Sequence, residues 1–213
     1  MINNKTVIIS CAGVGKRLGR GIPKAIVDVC GESLIARTLK LLNDVKDVRV
    51  VVGYQAEKVI NEVLKYRKDV TFVFNHNYLN TGTGSSVLLA SKYARDYIVT
   101  IDGDLIIHPE DMQKIVNCEE EFIGVTKIAS EDAVLVEIDG NNVLKFARGE
   151  GQYEWTGVMQ IRKEHISPTD GHVYKILEPL LPMKMLNIRT KEIDTENDYI
   201  AASKWVKDGY LDL

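Results

Sequence analysis

Residues 11–24 place Gly13, Gly15, Gly19 and Gly21 among Lys16, Arg17, Arg20 and Lys24, directly after an apolar, strand-like stretch at 6–10. Glycine lets a backbone approach a ligand without a Cβ clash. Exposed N–H groups and fixed cations cradle an anion, and a polyphosphate is the natural occupant. Two other segments carry paired carboxylates. Asp102-Gly103-Asp104 closes an apolar run at 97–101. Two acids at a strand end, separated by glycine, suit Mg²⁺, which takes few protein oxygens plus substrate phosphates; the alternative is a turn in which Asp102 caps Gly103. In Lys191-Glu192-Ile193-Asp194, residues two apart on a strand share a face. Glu192 and Asp194 then point together while Ile193 points to the core, a second carboxylate pair for the same ion.

The first loop is neither of the two common phosphate-binding fingerprints. A P-loop needs Ser or Thr after Gly15-Lys16 and a glycine at position 10, where Arg17 and Ser10 stand. A dinucleotide fingerprint needs glycine at position 18, where Leu18 stands. Two weaker segments follow. Asn80-Thr81-Gly82-Thr83-Gly84-Ser85-Ser86 opens a helical stretch, so Thr81, Gly82, Thr83 and Ser85 are candidates to hold an anion or read a base edge, against a plain helix N-terminus. Trp155 is a candidate to stack on a cation or a pyrimidine, against burial in the core. The four histidines show no ligand spacing, and Cys11 has no base at nucleophile spacing and reads as packing.

The elements that must hold these residues alternate. β-branched runs at 7–9, 48–52, 70–74 and 97–101 are separated by helix-period stretches at 34–42, 56–66 and 85–95, with Ser33 as a cap. Pro109 opens a further helix to about residue 116. This alternation predicts a mostly parallel sheet, and such sheets bind ligands beyond the carboxyl ends of their strands. The second part is richer in strands, at 122–127, 133–138, 143–146 and 155–161, with a turn at 139–142. A helix over 173–181, one strand over 185–194, and a capping box at Thr195-Glu196-Asn197-Asp198 complete the chain.

With 213 residues, 45% hydrophobic and 27% charged, the chain fits one α/β domain over 1–213 with a core that needs no staples. The net charge of −3 argues against a dedicated nucleic-acid binder. No apolar run reaches the length of a membrane span. Three widely spaced cysteines give no disulfide framework or zinc pattern. With no signal-peptide pattern, a cytoplasmic setting is expected.

Ala12-Gly13-x-Gly15-x-Arg17-Leu18 followed by Pro23-Lys24 resembles the signature of the nucleotidyltransferase superfamily. Residues 28–35 and Val51-Val52-Gly53-Tyr54 resemble its next segments, with Ser33 in place of a proline. The Glu192-Ile193-Asp194 region, with Thr195 and Asp198-Tyr199 behind it, is similar to the phosphocholine-type cytidylyltransferases of that superfamily. The resemblance implies a single Rossmann-like three-layer α/β/α domain with a mixed, mainly parallel central sheet and a small β-rich acceptor-side subregion. Residues 1–117 would form the nucleotide-binding half, and 118–213 the acceptor-binding and metal-completing half. It implies a Mg²⁺-dependent enzyme that joins a nucleoside triphosphate, CTP first, to a small phosphorylated acceptor and releases pyrophosphate. In that scheme Arg17 holds the leaving phosphates and Lys24 neutralises the α-phosphate and the acceptor phosphate. Ala12, Gly13 and Gly15 offer backbone to the nucleotide. Asp102 lies nearer the ribose, and Asp104, Glu192 and Asp194 bind the metal. Glu154, Trp155 and Gly157 resemble the acceptor-side strand, and Arg148 aligns with a family lysine near the α-phosphate. A sugar-1-phosphate nucleotidyltransferase using UTP, GTP or dTTP and a catalytically silent nucleotide-binding module remain open, as does a homodimer.

Overall fold

In the computed structural model, which describes residues 2–129, 133–169 and 171–211, the alternating run at 7–9 lies in β1 (Ile2–Cys11). Val7, Ile9 and Cys11 face one apolar core and Ile8 faces another, as the two-residue period of a strand buried on both faces requires. Beyond the glycine-rich loop, β2 (Asp28–Val29) and β3 (Glu32–Ser33) form a small hairpin. Ser33 Oγ then accepts the Ala36 N–H at 3.3 Å and caps α1 (Leu34–Leu41). Capping of this kind contributes about 1 kcal/mol.

The predicted alternation follows, with one short strand (β7) that it did not include: β4 (Val45–Val52), α2 (Ala56–Tyr66), β5 (Val70–Phe74), α3 (Thr83–Ala90), β6 (Tyr97–Asp102), β7 (Leu105–Ile107) and α4 (Pro109–Asn117). α3 stops at Ala90 rather than near 95. The Arg49 guanidinium, projecting from β4, donates to the carbonyls of Ala90, Lys92 and Tyr93. It thereby satisfies the helix end that further turns would have used.

The second part contributes β8 (Phe122–Thr126), β9 (Leu135–Asp139), β10 (Asn142–Ala147), β11 (Tyr153–Arg162), α5 (Tyr174–Leu177), β12 (Met183–Asn187), β13 (Thr190–Glu192) and α6 (Glu196–Lys207). The expected helix over 173–181 shortens to α5 plus a 3₁₀ turn at Glu178–Leu180. Pro179 lacks the N–H that another α-turn needs. Among the described residues the main sheet runs β5-β4-β1-β6-β11-β8-β12-β10-β9. β1 lies parallel to both β4 and β6, and β11 is antiparallel to β6 and β8. The sheet is therefore mixed, with a continuous parallel run β5-β4-β1-β6 in the first half and one further parallel pair, β8 with β12, in the second. α1, α2 and α4 cover one face; α3 and α5 cover the other.

The strand expected over 185–194 is corrected. β12 belongs to the main sheet, whereas β13 leaves it and pairs antiparallel with β7. Asp111 of α4, 1% exposed, makes the break. Its carboxylate accepts the Arg189 backbone N–H at 2.9 Å and the Arg189 Nε–H at 2.7 Å. The chain is thus pinned between the two strands.

Candidate active site

β1 and β6 are parallel neighbours, with Ser10 in register with Asp102. The glycine-rich loop and the Asp102-Gly103-Asp104 turn therefore leave the sheet side by side, at the carboxyl ends where ligands bind in such folds. The β7–β13 ladder sets Glu192 opposite Leu105, and the Ile193 N–H donates to the Asp104 carbonyl at 3.0 Å. The next residues form the expected capping box of Thr195 and Asp198. Asp198 Oδ2 also accepts the backbone N–H groups of Thr195, at 2.8 Å, and Asp194, at 3.2 Å. The cap of α6 thus fixes the backbone that presents the Asp194 carboxylate.

The result is a charge cluster. Carboxylate oxygens of Asp104, Glu192 and Asp194 all lie within 4.8 Å of one another. Lys24 Nζ donates to Asp104 Oδ2 at 2.7 Å and also to Asp194 Oδ1, and the Arg17 guanidinium pairs with Asp194 Oδ2. Gly15 is required here. Its φ is +63°, and a Cβ on it would lie 2.7 Å from Lys24 Cγ, so only glycine lets the lysine stem cross the loop.

The electrostatics follow from crowding. Burial alone would lower the Lys24 pKa, but Asp104 and Asp194 outweigh it and hold the ammonium charged. Burial, and after it the Asp104 charge, push Asp102 and Glu192 well above the usual carboxylate range. Burial, then Asp104 and Asp102, push the Cys11 thiol far up as well. A protonated, buried thiol is no nucleophile, which agrees with reading Cys11 as packing. Three oxygen donors that repel one another when bare fit a hard divalent cation, which offsets the repulsion.

These groups line a cleft of about 430 Å³, within the size range of small-molecule sites. Ala12, Gly13, Gly15, Arg17, Lys24 and Asp102 line it with the three clustered acids, as do Thr81, Gly82, Thr83 and Trp155. Gly157 stands behind Asp102. Its φ is +80°, and a Cβ there would lie 2.4 Å from Asp102 Oδ2. Gly157 and three other expected residues lie outside the lining. Ser85 Oγ donates to the Thr169 carbonyl at 3.1 Å, Glu154 is buried and accepts the Ala129 N–H at 2.9 Å, and Arg148 is exposed on its loop.

The structure adds residues that motif reading missed. Asn75, 3% exposed, donates from Nδ2 to Thr81 Oγ1 at 3.2 Å and to Ser86 Oγ at 3.1 Å, bracing the turn before α3. Tyr78 and Ser86 also reach the cleft, as does His172, which stacks on Tyr174. Asn75 directly follows β5, another parallel strand. Its position at a carboxyl end was the signal available in the sequence. No helix among the described residues is long and apolar enough to cross a membrane.

Comparison with known proteins agrees with this geometry. The MobA-like NTP transferase domain matches residues 7–144, which contain the cradle, Asp102 and Asp104; Glu192 and Asp194 lie beyond the matched segment. The bifunctional protein GlmU of Methanococcus vannielii is 27% identical over 183 residues, covering 82% of this chain and 43% of that protein. The chain spans less than half the length of the curated relatives it matches. Among solved structures, the inositol-1-phosphate CTP transferase from T. maritima superposes with a TM-score of 0.76 at 22% identity, covering 100% of this chain and 99% of that one. The CTP:phosphocholine cytidylyltransferase LicC from Streptococcus pneumoniae superposes with a TM-score of 0.79 at 18% identity, covering 95% and 99%. Those likenesses establish the fold, and the domain match establishes the family: this chain belongs to the MobA-like NTP transferase domain family.

Proposed function

We propose that this chain is a Mg²⁺-dependent cytidylyltransferase that couples CTP to a small phosphorylated acceptor of the phosphocholine, phosphonate or polyol-phosphate kind and releases pyrophosphate. One observation carries the reading. Lys24 and Arg17, from one end of the chain, meet Asp104, Glu192 and Asp194, from two distant strands, at one cleft. Attack of an acceptor phosphate oxygen on the α-phosphorus spreads negative charge over the α-phosphate and the departing pyrophosphate. Such a reaction asks the protein for positioning and charge stabilisation rather than covalent chemistry.

Asp104, Glu192 and Asp194 would hold the Mg²⁺, which when bound supplies positive charge to the triphosphate. Lys24 is positioned for the α-phosphate and the acceptor phosphate, and Arg17, more exposed, for the leaving phosphates. Backbone of Ala12, Gly13 and Gly15 receives the nucleotide, with Asp102 on the ribose side. Thr81, Gly82 and Thr83, braced by Asn75, face the base. Residues 1–117 serve as the nucleotide half and 118–213 as the acceptor half, where Trp155 is the side chain best placed to meet the acceptor. The preference for CTP draws support from the two solved relatives whose names specify CTP. Three free cysteines accord with a reducing cytoplasmic setting.

The test is pyrophosphate release with CTP, UTP, GTP and dTTP, each with Mg²⁺ and a panel of phosphorylated acceptors. CTP is expected to exceed the others at least tenfold with one acceptor class. No release from any pair would overturn the reading.

A further inference from the structure

A second cleft of about 410 Å³ lies against β13, between the end of β8 and α6. It shares no lining residue with the catalytic cleft. Lys127, Lys191 and Lys204 line it, and among the described residues none of the three forms an ion pair or a side-chain hydrogen bond. Arg189 also lines it, but that cation is already committed to Asp111 and Glu110. Asp208 is the one carboxylate in the described lining. Among the described residues, three lysines without an ion pair around one concavity leave an excess of positive charge that an anion would balance. The wall also holds the polar Thr126, Asn187 and Thr190, and its apolar part is Ile128, Ala129, Ala201, Trp205 and Leu211, of which Ile128 and Leu211 are 48% and 67% exposed.

The geometry points to a binding site for a small phosphomonoester with an apolar body, separate from the nucleotide site. Its phosphate meets Lys127, Lys191 and Lys204, and its apolar part covers Ile128 and Leu211. Lys191 precedes Glu192 on β13, so the occupant touches the strand that carries one of the catalytic acids. The inference goes beyond the cytidylyltransferase reading and does not need it.

The chain supplies a reporter for each cleft. It contains two tryptophans; Trp155 lines the catalytic cleft and Trp205 the second. Phenyl phosphate is titrated into the full chain while the two indole N–H signals are followed by NMR. The Trp205 signal is expected to shift saturably. In the Lys127→Ala/Lys204→Ala double variant, both sites being exposed, the apparent Kd for that shift is expected to rise at least tenfold. A Trp205 signal that stays still in the unaltered protein, or that gives the same Kd in the double variant, overturns the proposal. CTP with Mg²⁺, read at Trp155, reports the other cleft, so failure of either reading is seen on its own signal.

Discussion

Lys24 is the residue on which most of the site depends. Its side chain, 14% exposed, is charged and bonded to two of the three clustered carboxylates, and in the proposed reaction it is the fixed cation that meets the developing α-phosphate charge. Lys24→Ala is expected to lower kcat by about 100-fold or more, the usual loss of about 3 kcal/mol when one charge-stabilising donor is removed from such a site. The far-UV circular dichroism should stay unchanged; near-normal turnover would remove the role assigned to it. Gly157 has a different dependence. A side chain there meets both a left-handed backbone and Asp102 Oδ2 at 2.4 Å. Gly157→Ala should cost about 1–3 kcal/mol of stability, read by urea unfolding. It should also weaken nucleotide affinity through the displaced carboxylate, read by calorimetry.

At the scale of elements, the Asp111–Arg189 anchor decides where β13 goes. Burial alone would raise the Asp111 pKa, but the hydrogen bonds from Arg189 and Lys114 win and hold it well below the usual carboxylate range. A depressed carboxylate stabilises the fold fully above its unfolded pKa, near 4, and that contribution fades as the pH falls below it. Asp111→Asn should therefore lower stability by about 1–3 kcal/mol at neutral pH, because the amide gives up charge-assisted hydrogen bonds from Arg189 and Lys114. The variant should also lose less further stability on acidification from pH 4 than the unaltered protein, measured by denaturant midpoints across pH. With β13 loosened, divalent-metal affinity should fall too, since Glu192 and Asp194 follow directly. The cap of α6 was legible at this scale, because Thr195 and Asp198 are local in sequence. The true end of α3 was not, because it depends on Arg49, a residue from a different strand.

Across the whole molecule, one buried base ties the first strand to the end of α4, more than a hundred residues along the chain. Lys5, 2% exposed, lies on β1 and donates to the carbonyls of Ile115, at 3.3 Å, and Cys118, at the end of α4. Burial pushes its pKa down to about 8, with Cys118 and Glu119 opposing. A base whose folded pKa lies below its unfolded value, near 10.4, weakens the fold fully below the folded pKa. That penalty is relieved as the pH rises from about 8 toward 10.4. Stability curves of the protein and of Lys5→Met should therefore differ in slope over this window, with the unaltered protein gaining relative to the variant as pH rises. Parallel curves would show that Lys5 keeps its unfolded pKa in the fold, against the downward push of burial.

By itself the sequence determined the chemistry: the glycine-and-cation loop, both acidic pairs, the caps at Ser33 and Thr195, and the parallel start of the sheet. Each is written in residue types and short periods, and local sterics and hydrogen bonding act over those same few residues. The convergence of Glu192 and Asp194 on Asp104, expected from the residue types, is built by tertiary contacts that no local pattern shows. The segment at 185–194 reads locally as one strand. Its division arises from a buried carboxylate on α4 and from pairing with β7, partners far away along the chain. Contacts of that kind gain their free energy only once the intervening chain has folded, so no local pattern records them.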